Sequence, residues 1–174
     1  DLALSVNPDP PPRELDYLLS TGEQASAALL AMALHAIGQN AVGLSGRQAG
    51  IIAKRRFGDG RISRVEIGRI EEVLAERAIP IIAGFQGITE TDEIVTLGRG
   101  ASDLTAVALA IALGADVCET YKDVEGVFSA DPQIVKKARK IDEIGYEEML
   151  EMATQGSQVM HSRAIELASA HDMP

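Results

Sequence analysis

The sequence contains a single cysteine, Cys118, in 174 residues. One thiol excludes a disulfide framework, and within the apolar-rich DVCETY run it reads as a reduced core residue of a cytosolic, hence cytoplasmic, protein. Long apolar runs are also missing: no stretch is long enough to span a bilayer, and no secretory signal opens the chain. Positive charge is scarce, with 16 Lys and Arg against 26 Asp and Glu and a formal net charge of −10. That balance argues against a nucleic-acid or anionic-membrane partner. Two common phosphate-binding signatures are absent as well. There is no GxxxxGK[ST] stretch, and Gly98 and Gly100 are followed by Asp103 where a dinucleotide fingerprint needs a third small residue. Internal repeats and low-complexity tracts are lacking apart from the prolines at positions 8–12.

What is present suits one domain, since 46% apolar residues provide for a sizeable core. The first residue is Asp1 and the last four are HDMP, where a new strand can begin; the chain reads as a piece of a longer protein. Residues 1–12 are expected to be an extended or partly ordered linker, because the prolines at its end do not belong in a helix interior. Residues 13–19 read as a short helix or turn. Ser20 and Glu23 then have capping-box spacing before an Ala- and Leu-rich helix that runs through His35 and Ile37 and stops at Gly38. His35 suits a helix carboxyl end.

Residues 40–45 form a strand candidate. The following AKRRFGDGRI sets four basic residues around a Gly-Asp-Gly turn, a protruding hairpin or loop that is either a solvated basic patch or a specific site. Ser63 and Glu66 repeat the capping-box spacing, and Ile67, Ile70 and Leu74 give one apolar stripe, so residues 64–78 are expected to form an amphipathic helix. After Pro80, IIAGFQG reads as a strand ending in a glycine-rich loop with Phe85 and Gln86, and TETDEIVTL as a polar excursion. Residues 115–121 read as another strand, followed by the turn KDVEG, a short apolar element at 127–129, and helices over 146–153 and 162–170. Strands alternating with helices indicate an α/β domain with a mainly parallel sheet covered on both faces. STGEQ, GFQG, GRGASD and YKDVEG are then the candidate ligand loops at strand carboxyl ends.

The most informative stretch is TLGRGASDLTAVALAIALG, residues 96–114. Ser102 is the expected N-cap, Asp103 stands in the first turn where a negative charge suits the helix dipole, and Gly114 can end the helix. The apolar run from Leu104 to Leu113 predicts a helix buried on most sides. Its amino end, bracketed by Gly98 and Gly100, is an anion-binding candidate.

Six motifs occur together in one order: LLSTGEQASAALLAMAL, GRQAGI, IAGFQG, TLGRGASDLTAVALAIALGADVCE, YKDVEGVFSADP and EMATQGSQVMHSRAIELA. From about Leu18 to the end the chain resembles the aspartate kinases of the amino acid kinase family. The resemblance implies a three-layer α/β/α sandwich with a mainly parallel sheet, truncated at its N-terminus, in which residues 13–174 are a partial catalytic domain without an ACT domain. It implies ATP-dependent phosphorylation of the L-aspartate β-carboxylate, the entry to lysine, threonine and methionine, with ATP and Mg2+ required and a homo-oligomer formed. Glu23, Phe85, Arg99, Gly100, Ala101 and Ser102 match residues around the aspartate. Arg99 would hold its α-carboxylate, a task that suits a planar guanidinium, and Glu23 would face its ammonium. Asp103 matches a carboxylate that positions a phosphate-binding lysine. Lys122, Asp123, Phe128, Ser129, Ala130, Asp131, Pro132, Gln133 and Gln158 match the nucleotide site.

The chain departs from that pattern in several places. The family's first strand and its KFGG-type motif, with the phosphate-binding lysine, are not in the sequence, so the chain alone is expected to be inactive. Lys122 replaces the threonine of a YTD triplet, Gln133 an arginine, Gln158 a lysine, and His161-Ser162 an HP pair. The two glutamines remove positive charge near the expected phosphates, and Lys122 returns one nearby. Simpler readings stand beside the carried ones: Glu23 as the capping partner of Ser20, Asp103 as a first-turn acid, and Tyr121 and Phe128 as sheet-edge packing. Lys136, Lys137, Arg139 and Lys140 read as a solvated face. The competing function is a non-catalytic homologue that binds a ligand or regulates a partner. A different acceptor, glutamate or carbamate, fits the TGEQ and GRGASD pair less well.

Overall fold

The computed structural model describes residues 2–54, 57–157 and 159–174. A short helix α1 (Leu2–Val6) precedes the long helix α2 (Pro12–Ala36). Pro12 is the first helical residue, where its missing N–H costs nothing, and Glu14 lies in the first turn. The helix continues through Ser20, so the expected cap there is corrected: Ser20 is buried, and its hydroxyl donates to the Tyr17 carbonyl at 2.7 Å within the helix. Nothing in residues 13–19 interrupts helical geometry, and the apolar content of the segment favours continuing the helix over nucleating a second one. The helix ends as expected, with His35 in the last turn, its Nε2 2.9 Å from the Ala41 carbonyl oxygen, and Gly38 in a left-handed conformation.

Strand β1 (Ala41–Leu44) pairs in parallel with β4 (Ile79–Ile82). A second sheet has the order β3-β2-β5-β6, built from β2 (Ile51–Lys54), β3 (Arg61–Val65), β5 (Gln86–Ile88) and β6 (Ile94–Thr96). Within it β2 and β5 are parallel, while the β2/β3 and β5/β6 hairpins are antiparallel. The described part of the basic Gly-Asp-Gly segment therefore belongs to the antiparallel β2/β3 pair, with Arg55 and Arg56 outside the described residues, and the GFQG and TETDEIVTL segments supply a second antiparallel pair.

Helix α3 spans Gly68–Ala75 and buries Ile70 and Val73. It is shorter than the residue pattern suggests, because residues 61–65 are consumed by pairing with β2. Ser63 lies where the register slips between Ile52 and Ala53, and its hydroxyl donates to the Ile52 carbonyl at 3.1 Å rather than capping a helix. Val73, not Leu74, completes the inward face; Leu74 is half exposed.

Helix α4 (Ser102–Leu113) buries six residues and ends at Gly114, whose φ of 63° and the 2.9 Å bond from Ala115 N–H to the Ala110 carbonyl close it in a Schellman manner. Leu104, Val107 and Ala110 join one core with Val95, Leu97, Ala164 and Ala168, while Leu109 joins the other with Ile51, Ile70 and Val73. This one helix therefore serves as a wall for both cores. Helices α5 (Tyr146–Thr154) and α6 (Ser162–Ala170) lie where expected, and the Glu148 carboxylate caps α5 by accepting from Gly145 N–H at 2.9 Å.

The strand expected over 115–121 is not formed among the described residues. A strand exists only by pairing, and the long-range backbone bond of this stretch is the single one from Cys118 N–H to the Pro174 carbonyl, at 2.8 Å. Residues 127–129 do find a partner, as Phe128 bridges Lys140 in antiparallel fashion. No helix among the described residues is long and apolar enough to cross a membrane.

A candidate phosphoryl-transfer site at the amino end of the buried helix

Gly98 and Gly100 have φ of 96° and 77°, which a side chain would resist, and the turn they form closes with a 3.1 Å bond from Ala101 N–H to the Gly98 carbonyl. Arg99 stands between them, exposed, with no hydrogen bond or ion pair among the described residues. Ala101 occupies the cap position, and Ser102 is the first helical residue, a one-residue correction to the expected cap. Freed from capping, the Ser102 hydroxyl is exposed at the helix amino end beside Arg99.

Three contacts bring other elements to this turn. A Cβ placed on Gly84 would lie 3.4–3.5 Å from Ser102, so the strand β4 exit passes directly over it. Phe85 follows with φ of 66°, a left-handed conformation costing about 1–2 kcal/mol for a side-chain-bearing residue. Its backbone is held from both sides: Phe85 N–H donates to Thr105 Oγ1 at 3.1 Å, and its carbonyl accepts from Leu97 N–H at 2.8 Å. Thr105 in turn donates to the Ala101 carbonyl at 3.0 Å, so one buried hydroxyl ties the Phe85 loop to the start of α4. Next along, the buried Gln86 side chain accepts from Gln24 at 3.1 Å and donates to the Ser20 carbonyl at 3.1 Å. The α2 turn carrying Glu23 is thereby anchored beside Phe85. Glu23 is half-buried and, like Arg99, has no partner among the described residues.

Asp103 joins this group to the expected nucleotide loop. Lys122 Nζ lies 2.9 Å and 3.0 Å from its two carboxylate oxygens, and His161 N–H donates to one of them at 3.2 Å. His161 also caps α6, accepting from Arg163 N–H at 3.2 Å, and lies so near Gly100 that a Cβ there would come within 3.2 Å of its ring. Beyond Lys122, residues 127–141 form one turn. Ser129 N–H donates to the Arg139 carbonyl at 2.9 Å, Arg139 N–H to Ser129 Oγ at 3.0 Å, and Asp131 Oδ1 accepts from Gln133 N–H at 2.8 Å. Asp123 and Gln133 are exposed, Ala130 and Phe128 half-buried, and Pro132 exposed at the turn. Gln158 lies outside the described residues.

Sequence reasoning did not single out Thr105 or Arg163. Thr105 is a lone hydroxyl within an apolar helix, and a buried hydroxyl requires a partner, which is the signal that was available. Arg163 donates to the Leu97 carbonyl at 2.9 Å, the Gly60 carbonyl at 3.1 Å and Asp59 at 3.3 Å, bracing the turn from beneath. Nothing local marks it, because its partners are distant in the chain. Burial, and then the Asp103 charge, push the Cys118 thiol above its ordinary range. No three His, Cys, Asp or Glu side chains converge as a metal cage among the described residues.

The pattern of the Amino acid kinase family matches residues 3–174. The chain is 56% identical over its whole length to an aspartokinase from Geobacillus stearothermophilus, covering 43% of that protein. It superimposes on an aspartate kinase from Synechocystis with a TM-score of 0.84 at 44% identity, covering 99% of this chain and 28% of that one. Against E. coli aspartokinase III in complex with aspartate and ADP the TM-score is 0.82 at 33% identity, over 94% of this chain and 37% of that one. The three-layer α/β/α architecture is common to them. The chain spans less than half the length of the curated relatives it matches.

Proposed function

Since the chain belongs to the amino acid kinase family, we propose that it is part of the catalytic domain of an aspartate kinase, transferring the terminal phosphoryl group of ATP to the L-aspartate β-carboxylate. The observation that carries this reading is the unpaired, exposed Arg99 beside Ser102 at the amino end of α4, joined through Asp103 to the 122–133 loop. Phosphoryl transfer to a carboxylate needs two anions held together, and little covalent help from protein. Arg99 and the helix amino end suit the acceptor's α-carboxylate, and the unpaired Glu23 suits its ammonium. The turn of Phe128, Ser129, Ala130, Asp131, Pro132 and Gln133, with Lys122 and Asp123, suits the nucleotide. Mg2+ would arrive on the nucleotide phosphates, as it commonly keeps its waters and binds through few carboxylates. A homo-oligomer belongs to the same reading, checked by sedimentation.

The full-length protein is expected to form a hydroxylamine-trappable acyl phosphate from aspartate and ATP. Arg99→Ala is expected to raise the aspartate KM about 10- to 100-fold, from ~1.5–3 kcal/mol of lost charge-assisted hydrogen bonding. An unchanged KM removes Arg99 from the acceptor pocket, and ligand binding without any acyl phosphate turns the assignment to a non-catalytic homologue.

A further inference from the structure

The four-stranded sheet has β3 and β6 at its opposite edges, yet it curls far enough for the residue ahead of β3 to reach the end of β6: Gly60 N–H donates to the Thr96 carbonyl at 2.7 Å. That corner leads directly into the Arg99 turn, because Leu97 and Gly98 follow Thr96. Two charged side chains hold it from different helices. Asp16 of α2 accepts from Gly58 N–H and from Thr96 N–H, each at 2.9 Å. Arg163 of α6 takes two carbonyls, Leu97 at 2.9 Å through one terminal nitrogen and Gly60 at 3.1 Å through the other, with Asp59 Oδ1 at 3.3 Å. Leu97 and Gly60 are buried, so either carbonyl left without a donor would be costly. Arg163 stands in the first turn of α6, the end of a helix where the dipole disfavours a cation. Its place is therefore explained by these distant acceptors and not by the helix that carries it.

The contact matters for Arg99 because the turn that carries it has little stiffness of its own. Gly98 and Gly100 both lie at positive φ, and glycine leaves its own dihedrals soft. The direction in which Arg99 points is then set by how the two ends of the turn are fixed. The carboxyl end is fixed by α4, through Thr105 and the Ala101 carbonyl. At the amino end, Leu97 N–H is bound to the Phe85 carbonyl, and the Leu97 carbonyl to Arg163, the last side-chain hold on the backbone before Gly98 among the described residues. A Cβ on Gly98 would lie 3.8 Å from the Arg163 guanidinium, so the two are in contact. Resting on the acceptor reading of Arg99, we propose that Arg163 is a positioning residue for the acceptor: it locks the amino end of the Gly98–Arg99–Gly100 turn onto the segment ahead of β3, and so holds Arg99 in the geometry that receives the α-carboxylate. A guanidinium suits the task because its planar fork serves two carbonyls at once, whereas a lysine ammonium is a point donor. Arg163 acts through Arg99, so its effect falls on aspartate binding rather than on the nucleotide.

The test uses the full-length protein with Arg163→Met and Arg163→Lys, each alone and combined with Arg99→Ala. Calorimetry reads the affinities for aspartate and for ADP with Mg2+, and needs no turnover. Thermal unfolding checks that each variant folds, and Gly114→Ala, at the far end of α4, is the reference for a loss of stability alone. Arg163→Met is expected to weaken aspartate about tenfold while ADP affinity and kcat move less than about twofold, the pattern of an interaction lost in acceptor binding. Arg163→Lys is expected to recover part of that loss, and it carries the same comparison if Arg163→Met does not fold. In the Arg99→Ala background either change is expected to add less than about twofold, because residues acting through one contact are not additive. Equal losses of aspartate and ADP, a loss no larger than that of Gly114→Ala, or an undiminished effect in the Arg99→Ala background overturns the proposal while the acceptor reading stands. If Arg99→Ala itself leaves aspartate affinity unchanged, the acceptor reading falls, and the role of Arg163 falls with it.

Discussion

Asp16 is 1% exposed, and its carboxylate accepts from Gly58 N–H, Thr96 N–H and the Thr96 hydroxyl at 2.9, 2.9 and 2.8 Å. A buried acid this well satisfied fixes the β2/β3 turn and β6 to α2, and thereby the strand that leads into the Arg99 loop. In sequence it is only one of the acids that follow the prolines. The residues carried by the family motifs were legible because each lies in a short, glycine-marked segment. Their supports, Asp16, Thr105, His161 and Arg163, act across the fold and carry no local mark. Cys118 offers a direct test of the field around the site. Burial first, and the Asp103 charge second, raise its thiol, so the folded protein keeps that proton to higher pH than the unfolded chain. The associated stability is present below the unfolded value and fades as pH rises through the folded one. Iodoacetamide labelling is therefore expected to reach its midpoint at higher pH than for an ordinary thiol, and Asp103→Asn to move the midpoint down. A midpoint indifferent to Asp103→Asn would show that its charge does not reach Cys118.

At the scale of elements, β1, α4 and α6 follow from local pattern, while three expectations were overridden. Residues 61–65 became strand because β2 offers them a ladder, Ser20 became helix interior because the preceding segment already propagates, and residues 115–121 lack a second strand to pair with. Glycines separate two kinds of constraint here. Gly114 needs only its left-handed φ, with nothing within 4 Å of a Cβ, so Gly114→Ala is expected to cost about 1–2 kcal/mol. Gly50 shares a positive φ of 68° but packs its α-carbon on the Glu66 backbone, whose carbonyl carbon would lie 2.9 Å from a new Cβ. Gly50→Ala is therefore expected to destabilise more than Gly114→Ala. Urea midpoints decide it, and an equal loss in the two variants would mean that the β2/β3 hairpin yields without cost.

Across the whole molecule, order is uneven. Two cores meet at α4, whereas residues 115–145 contain no helix or strand among those described beyond the Phe128–Lys140 bridge, and most of them are exposed. Segments of this kind open at low free energy. Limited trypsin digestion of the full-length protein is expected to cut first at Lys136, Lys137, Arg139 or Lys140, and ATP with Mg2+ to slow that cut. First cleavage elsewhere, or no protection by nucleotide, would count against a nucleotide site on this segment. The sequence by itself determined the buried character of α4, the glycine-bracketed turn before it, and the motif order of the amino acid kinase family. These depend on periodicity, backbone dihedrals and residue type, all set by near neighbours. Only the tertiary structure decided that Lys122 aims at Asp103, that Thr105 holds Phe85 in a left-handed conformation, and that Arg99 and Glu23 are left unpaired. Those outcomes are contacts across separations of 19 and 20 residues, or the absence of any, and no local pattern encodes them.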